Sequence, residues 1–549
     1  MLVAAWLLML VISMQAAAFQ LMRASRFRSS ASGVCGTAGV AGAAWRRGFG
    51  TTYATARDYD NGEVVSNYEG SVDYGADFGF EVTQADKGDN AQRLGVLRCP
   101  HGVVETPNFV FCATKAAMKA VTPAILREEG TQFILSNTYH LMLTPGSKTV
   151  QKMGGLQKFT GWRGPMLTDS GGYQIFSMGY GSVASEIKGN RNTESLGWEQ
   201  TLISIDEDGA KFRSYVDGSI HYLTPEKSIT IQRELGADFI LVLDECTPFN
   251  VDKQYTKDSM RRSHRWSKRS LEEFQRGSDG TQALYGIIQG GVYDDLRDES
   301  IRFVNSNPFF GVAIGGSLGA NKTTMHDIVA YTRSRIEGQR PVHLLGIGGV
   351  RDIFNGVRYG IDTFDCVHPT RLGRHGGALV KRQFWDEEQL PEELDTPMTR
   401  ALERKVAKAL AKGKPYTPKK TKKRFELTVK EHVNVRTSRF ANDPRPLDES
   451  CECYTCKNFS RGYLHHLFKA KESLGGTLVT AHNIHFMNRL MKDIRGGIKT
   501  DSLDEVERDW VHPTLMEELK DGTKRTDERP RAQALELELE LELEAVVVP

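Results

Sequence analysis

Phe239-Ile-Leu-Val-Leu-Asp-Glu-Cys-Thr-Pro248 is the stretch on which the fold turns. Five apolar residues run without a polar break and end at two adjacent acids. A strand with one wet face alternates apolar and polar residues. A continuous apolar run belongs to a strand covered on both faces, as in a parallel sheet. The same unit recurs on either side. Upstream lie Asn108-Phe-Val-Phe-Cys112, Phe133-Ile-Leu-Ser136 and Pro165-Met-Leu-Thr168. Downstream lie Leu284-Tyr-Gly-Ile-Ile288, Phe310-Gly-Val-Ala-Ile314, Val342-His-Leu-Leu-Gly346 and Thr363-Phe-Asp-Cys-Val367. Helical spacing appears between several of them, as in residues 227–235 and 259–274. Eight such strands with helical crossovers predict an α/β fold, a (β/α)8 TIM barrel spanning residues 78–382.

The runs end in chemistry-bearing residues: Asn137, Asp169, Asp244 and Glu245, Gln289, Gly315 and Gly316, and Asp365. Any one of them alone reads as a helix cap or turn residue. In a barrel, however, all the C-terminal strand ends share one face, and that face carries the site.

Beyond the barrel the cysteines change the reading. Cys451-x-Cys453-x-x-Cys456 is followed by His482, with an amphipathic stretch at 462–474 and then Gly475-Gly476 in between. Three thiolates and one imidazole form a closed tetrahedral zinc site with no open position for water, hence a structural zinc, one per chain. On spacing alone His465, His466 and His485 are rival fourth ligands. The expected organisation is a zinc-binding segment at 447–495 packed on the barrel, as an inserted or appended subdomain. The remaining five cysteines are scattered, unlike a disulfide framework.

The 549 residues carry a net charge of +2, with 40% apolar and 26% charged residues, which excludes wholesale disorder and gives no sign of a uniformly basic nucleic-acid binder. The small sum hides three biased segments. The first 57 residues hold six arginines and no acid. An apolar run at 2–14 is followed by Ala16-Ala17-Ala18, Phe19 and an acid-free Arg/Ser/Ala-rich stretch. This pattern reads as a targeting presequence over 1–57. It resembles the two-part presequences of algae with complex plastids, so a plastid is the expected address, with mitochondrion or cytoplasm as alternatives. Residues 383–446 read as a basic insert and linker, with eleven Lys/Arg against one acid between 400 and 424, suited to a phosphate-contacting arm or a solvated linker. Residues 496–549 read as an acidic low-complexity tail ending in repeated Leu-Glu. No P-loop or G-x-G-x-x-G string occurs.

Several strings are long enough to name a family. Thr168-Asp-Ser-Gly-Gly-Tyr-Gln174, Leu243-Asp-Glu-Cys-Thr-Pro248, Gly286-Ile-Ile-Gln-Gly-Gly291, Ile314-Gly-Gly316, Leu345-Gly-Ile-Gly348, Phe364-Asp-Cys-Val367 and Pro369-Thr-Arg371, with the Cys-x-Cys-x-x-Cys…His set, resemble tRNA-guanine transglycosylase of the bacterial type. Ser136-Asn-Thr-Tyr-His-Leu-Met-Leu-Thr-Pro-Gly146 belongs to the same pattern, and the resemblance covers roughly residues 78–495. It implies exchange of the wobble guanine of tRNA for a 7-deazaguanine base without strand cleavage.

Retention at the anomeric carbon requires a carboxylate nucleophile and an acid/base group beside the leaving base. The resemblance assigns these roles to Asp365 and Asp169. A flipped base must then be read in a pocket. The resemblance implies Ser170, Gly171, Gly172, Tyr173, Asp244, Cys246, Gln289, Gly315 and Gly316 as its lining, with Tyr173 as a stacking face. For RNA it implies Gly346, Ile347, Gly348, Gly349, Val350, Arg351 and Asp352, and Thr370, Arg371, Leu372, Gly373 and Arg374. Where many bacterial members read Gly-Gly-Leu-Ala-Val-Gly-Glu, this chain has Gly315-Gly-Ser-Leu-Gly-Ala-Asn321. The smaller residue at 319 and the missing carboxylate at 321 favour queuine over its aminomethyl precursor. A homo- or heterodimer is also implied. The competing reading is a non-catalytic RNA-binding partner subunit, which would lack the carboxylates at 169 and 365.

Overall fold

The computed structural model describes residues 71–85, 91–179, 201–247, 251–316, 318–319, 321–381 and 431–511. Eight parallel strands close into a barrel. They are β1 (Asn108–Cys112), β2 (Ile134–Ser136), β3 (Met166–Thr168), β4 (Phe239–Leu241), β5 (Ala283–Ile288), β6 (Gly311–Ile314), β7 (Val342–Leu344) and β8 (Thr363–Asp365). Each falls within one of the eight apolar runs, or one residue beyond its start. The order runs β4-β5-β6-β7-β8-β1-β2-β3, and the pairing of Phe239 with Leu167 closes the ring. All six residues of β5 are buried, which is why its sequence lacks alternation.

Helices on the outside begin and end on local signals. In α2 (Pro225–Leu235), Thr224 accepts the Lys227 N–H through its hydroxyl, proline occupies the first turn, and Gly236 closes the helix at φ 74°. The 25-residue α3 (Lys253–Gly277) starts from Asp252, whose carboxylate accepts the Tyr255 N–H at 2.7 Å. The N-terminal ends of the strands are fastened by buried acids. Asp238 accepts from the backbone of Met166 at 2.9 Å, and Asp362 binds Arg93 at 2.9 and 2.5 Å and the Val342 N–H at 2.7 Å. Arg93 belongs to a three-stranded antiparallel sheet (Gly79–Ala85, Arg93–Cys99, Gly102–Thr106) that precedes the barrel. A second antiparallel sheet (Leu202–Ile205, Ala210–Arg213, Ile220–Leu223) interrupts the chain between β3 and β4.

Helix α6 (Val350–Arg358) leads into β8; the chain leaves β8 through α7 (His368–Arg374), then forms a strand, Gly377–Leu379, paired antiparallel with His432–Asn434. The partner strand lies within the expected linker; residues 382–430 fall outside the described residues, as do 1–70 and 512–549. Four helices follow: α8 (Tyr454–Asn458), α9 (Arg461–Ala470), α10 (Ser473–Lys499) and α11 (Leu503–Trp510).

Two readings are corrected here. Gly475-Gly476 does not end a helix but lies in the first turn of α10, and Gly475 sits against the Phe468 ring and Leu467 of α9. Residues 496–511, read as the start of an acidic tail, complete α10 and form α11. Trp510 is buried against Phe486, and Asp504 and Glu507 both pair with Arg358 at 2.6 and 2.5 Å. Two of the acids that suggested a tail are thus ion-pair partners of Arg358 at the end of α6. The long helix α10 joins two cores: Leu478 and Val479 pack with the cysteines, and Ile484, Met487, Leu490 and Ile494 pack with the barrel.

Candidate active site and metal centre

Because all strands are parallel, their C-terminal residues meet at one rim. β3 delivers Asp169. One carboxylate oxygen accepts the Thr138 N–H at 2.9 Å, and the other accepts from the Asn137 side-chain amide. Asn137 is held in turn as the cap of the helix after β2, accepting the His140 N–H at 3.0 Å. Burial pushes the Asp169 carboxyl up to about 7, the nearby Asp365 adds to the rise, and the Thr138 and Asn137 bonds oppose it.

β8 delivers Asp365. Its Oδ1 accepts the Gly346 N–H at 2.8 Å, and the Cys112 thiol of β1 lies 3.5 Å from its Oδ2. The His343 ring nitrogen Nε2 is 3.3 Å from Oδ1. Two carboxyls thus meet at one rim in different settings: Asp169 is raised towards neutrality, while Asp365 has one oxygen on a backbone N–H and the other beside a weak thiol donor.

β4 leads into Asp244. Its Oδ2 accepts from the Gln289 amide at 2.5 Å and its Oδ1 from the Ser170 hydroxyl at 3.4 Å. Burial raises its carboxyl to about 6, against the pull of those two donors. Glu245, its neighbour, points elsewhere. It binds the Tyr255 hydroxyl and Arg262 at 2.8 and 2.5 Å, fastening the strand end to α3.

Glycines bring backbone close to this pocket. A Cβ on Gly172 would lie 2.5 Å from the Asp244 carbonyl oxygen and 3.0 Å from its carboxylate. Gly316, at φ 77°, would meet the Gln289 side-chain oxygen at 2.6 Å, and a Cβ on Gly315 would meet Ile287 at 2.8 Å. Gly171, at φ 87°, turns the chain into α1 (Gly172–Gly179). Tyr173 stands half exposed at the rim, and Cys246 is half-buried beside it. Ser170, Gly172, Asp244, Gln289, Gly315 and Gly316 therefore cluster in direct contact at the rim, with hydrogen-bonding groups and close backbone brought together.

The expected RNA-contacting residues divide. Gly346 and Arg371 are exposed, and Ile347, Gly349, Arg351, Leu372 and Arg374 are half-buried. Gly348, Val350, Asp352, Thr370 and Gly373 are buried and cannot meet RNA in this structure. A Cβ on Gly348 would lie 2.5 Å from the Cβ of Cys366, and one on Gly373 would lie 2.8 Å from the Thr480 Cα. Asp352 pairs with Lys322 and, at 3.2 Å, with His326; these partners hold its carboxyl below the usual range against burial. Their part is to shape the loops that present the exposed residues. Asn321, in place of a carboxylate, caps α5 (Lys322–Arg333) by accepting the Thr324 N–H at 2.8 Å. Ser317 and the segment 181–197 lie outside the described residues.

Sequence reasoning missed two residues here. Cys112 and His343 sit inside strands, where an apolar run conceals them.

The metal centre resolves the rival histidines. The sulfurs of Cys451, Cys453 and Cys456 lie 3.6, 3.5 and 3.3 Å from Nδ1 of His482, and the four ligand atoms fall within 4.8 Å of one another. Tetrahedral zinc with Zn–S of about 2.3 Å and Zn–N of about 2.0 Å requires an S···N spacing of roughly 3.5 Å. The donor set therefore fits zinc without rearrangement. Nε2 of His482 lies 2.7 Å from the Leu379 carbonyl oxygen, which fixes the proton on Nε2 and leaves Nδ1 free to ligate. His465 is bound to the Val435 carbonyl at 2.9 Å, His485 pairs with Glu129 at 2.8 Å, and His466 stacks on Tyr463.

Residues 88–514 match the family model described as queuine tRNA-ribosyltransferase. A queuine tRNA-ribosyltransferase of Roseiflexus sp. (strain RS-1) is 41% identical over 441 residues, which cover 79% of this chain and 98% of the relative. One from Caldanaerobacter subterraneus subsp. tengcongensis is 40% identical over 79% of this chain and 96% of its own length. One from Synechococcus elongatus is 39% identical over 76% and 90%, respectively.

Proposed function

We propose, from the premise that this chain belongs to the queuine tRNA-ribosyltransferase family and is a tRNA-modifying pentosyltransferase, that it replaces the wobble guanine of tRNA through a covalent Asp365–ribose intermediate. The observation that carries this reading is the pair of unlike carboxyls at one barrel rim. Unlike settings split two acids into different roles. Asp365 attacks C1′ of the wobble ribose as the glycosidic C1′–N9 bond breaks. The bonding electron pair leaves with guanine, and Asp169, poised near neutrality, gives the departing base its proton. In the second half the incoming 7-deazaguanine loses its N9 proton to Asp169. Its nitrogen attacks C1′, and Asp365 is released. Two bonds of one kind are exchanged, so no nucleotide energy source is needed.

The rim cluster reads the flipped base. Asp244 accepts from the ring N–H and exocyclic amine, while the second amide hydrogen of Gln289 and the Gly316 N–H serve the carbonyl, under the Tyr173 ring. Arg371 and Arg374, at the end of α7, bind RNA phosphates or base edges. Queuine is the favoured base, since no carboxylate stands at 321. Zinc, one per chain on Cys451, Cys453, Cys456 and His482, serves structure and takes no part in the exchange.

A homo- or heterodimer is proposed from the family likeness. The arginine-rich leader is proposed to address the protein to a plastid; a fluorescent fusion of residues 1–60 that stays in the cytosol would sink this.

Release of labelled guanine from tRNA tests the main reading, with Asp365→Ala as control. Activity at the wild-type level in that variant removes the covalent mechanism.

A further inference from the structure

The contacts around Asp365 leave one buried group without a stated task. His343 lies on β7 with its side chain 2% exposed, and it is the β-ladder partner of Thr363 on β8. Its Nδ1 is 2.8 Å from the Thr363 hydroxyl. Its Nε2 has no hydrogen-bond partner of good geometry among the described residues, yet it stands 3.3 Å from Oδ1 of Asp365. A neutral imidazole carries one proton. With the proton on Nδ1, the Nε2 lone pair would face a carboxylate oxygen across a buried gap. With the proton on Nε2, the Thr363 hydroxyl turns to donate to Nδ1, and an N–H faces the carboxylate. The hydroxyl rotor permits either arrangement, so the charge on Asp365 selects the second.

We propose that His343 is a positioning residue for the nucleophile, an inference that rests on the reading of Asp365 given above. Oδ1 is held by the Gly346 N–H at 2.8 Å and faces the His343 N–H at 3.3 Å. Oδ2 has only the Cys112 thiol at 3.5 Å, a weak donor that a ribose displaces easily. The two oxygens are therefore unequal: Oδ1 is the anchored atom and Oδ2 the attacking one. As the C1′–Oδ2 bond forms and C1′–N9 breaks, Oδ1 becomes the carbonyl oxygen of the ester. In the return step negative charge reappears across the carboxylate, and the His343 N–H stabilises it at Oδ1. No proton passes through His343. The long, poorly aligned contact is what an unliganded site presents before substrate tightens it.

Leu, Gln and Asn variants separate this role from packing. Leu fills the space without a donor. Gln places an amide N–H near the Nε2 position, and Asn reaches only the Nδ1 position facing Thr363. In single-turnover guanine release, His343→Leu and His343→Asn are expected to be slower by roughly 10–100-fold. His343→Gln is expected to recover to within about fivefold of wild type, with tRNA affinity unchanged in all three. Equal rates for Gln and Asn, a Leu variant as fast as wild type, or a loss of tRNA affinity that matches the loss of rate overturns the proposal. If the Leu variant does not fold, the Gln and Asn pair decides alone. Asp365→Ala separates the two claims. If it is inert while His343→Leu is unimpaired, only the role of His343 fails; if Asp365→Ala is active, the underlying mechanism fails.

Discussion

Replacing Asp169 with Asn should make the protein more tolerant of high pH, and the size of the effect follows from the site. Burial lifts this carboxyl from its ordinary 3.8 to about 7. The folded state therefore holds a proton that the unfolded chain has already released between those values. Wherever the folded state binds more protons, stability falls as pH rises. Below about pH 4 both states are protonated and the group costs nothing; above about pH 7 the full cost is present. A shift of roughly three pH units at 1.36 kcal/mol each sets that cost at about 4 kcal/mol, and relaxation around the site reduces it towards about 2 kcal/mol. Asp169→Asn removes the titration but introduces a donor facing the Asn137 amide, an offset that does not vary with pH. The informative quantity is thus the change with pH of the difference between variant and wild type. Urea unfolding from pH 4.5 to 8 should show that difference moving in favour of the variant by about 2–4 kcal/mol, mostly between pH 5 and 7. A difference that stays flat, or moves the other way, refutes the raised carboxyl. With it would go the reason for choosing Asp169 as the proton donor.

Asp244→Asn replaces an acceptor with a donor where the base's ring N–H and amine must be met; base exchange should fall by roughly 100-fold or more while tRNA binding by fluorescence anisotropy is retained. Gly172→Ala puts a methyl 2.5 Å from the Asp244 carbonyl oxygen, a backbone atom that cannot swing away. It should weaken base binding by more than about tenfold, read as a raised KM for the incoming base, at a stability cost of about 1–3 kcal/mol. Cys453→Ser should lower the metal content from one zinc per chain and cut the thermal midpoint sharply, since structural zinc binding is worth on the order of 10 kcal/mol in small domains. Metal analysis finding no zinc in the folded wild type defeats that reading.

The barrel was legible because burial on both faces leaves a mark that one residue carries as well as ten: Phe239–Leu241 has no polar neighbour until the rim begins. The rim was legible for the same reason in reverse, since Asp244, Gln289 and Asp365 are the first polar residues after apolar runs and Asp169 follows one after Thr168. What stayed hidden is what depends on a partner distant in sequence. His343 reads as one more strand residue until Asp365, 22 positions on, is placed beside it. Asp504 and Glu507 read as tail acids until Arg358 is brought to them. Asp352 reads as a loop residue free for RNA until Lys322 and His326 close on it. The antiparallel sheets at 79–106 and 202–223 were missed because their strands are half wet and so carry no long apolar run.

The zinc lobe is tied to the reaction through the chain of contacts that leaves its fourth ligand. His482 turns Nδ1 to the thiolates and Nε2 to the Leu379 carbonyl. The next residue, Asn483, accepts the Leu379 N–H at 2.9 Å and donates to the carbonyls of Pro369 and Gly377 at 2.8 and 3.0 Å. Pro369 lies in the first turn of α7 and Gly377 three residues past its end; α7 follows Asp365 within three residues and carries Arg371 and Arg374. Two residues before His482, the Thr480 backbone packs so closely on Gly373 that no side chain fits there. One turn of α10 thus carries the fourth donor of the Cys3His set and, beside it, contacts to α7 and to the strand after it. A zinc-free protein whose barrel still folds should therefore lose the placement of α7 first, and with it the grip on RNA beside the nucleophile. A zinc held by this closed Cys3His set would have no position open to water and would act on the exchange through position alone.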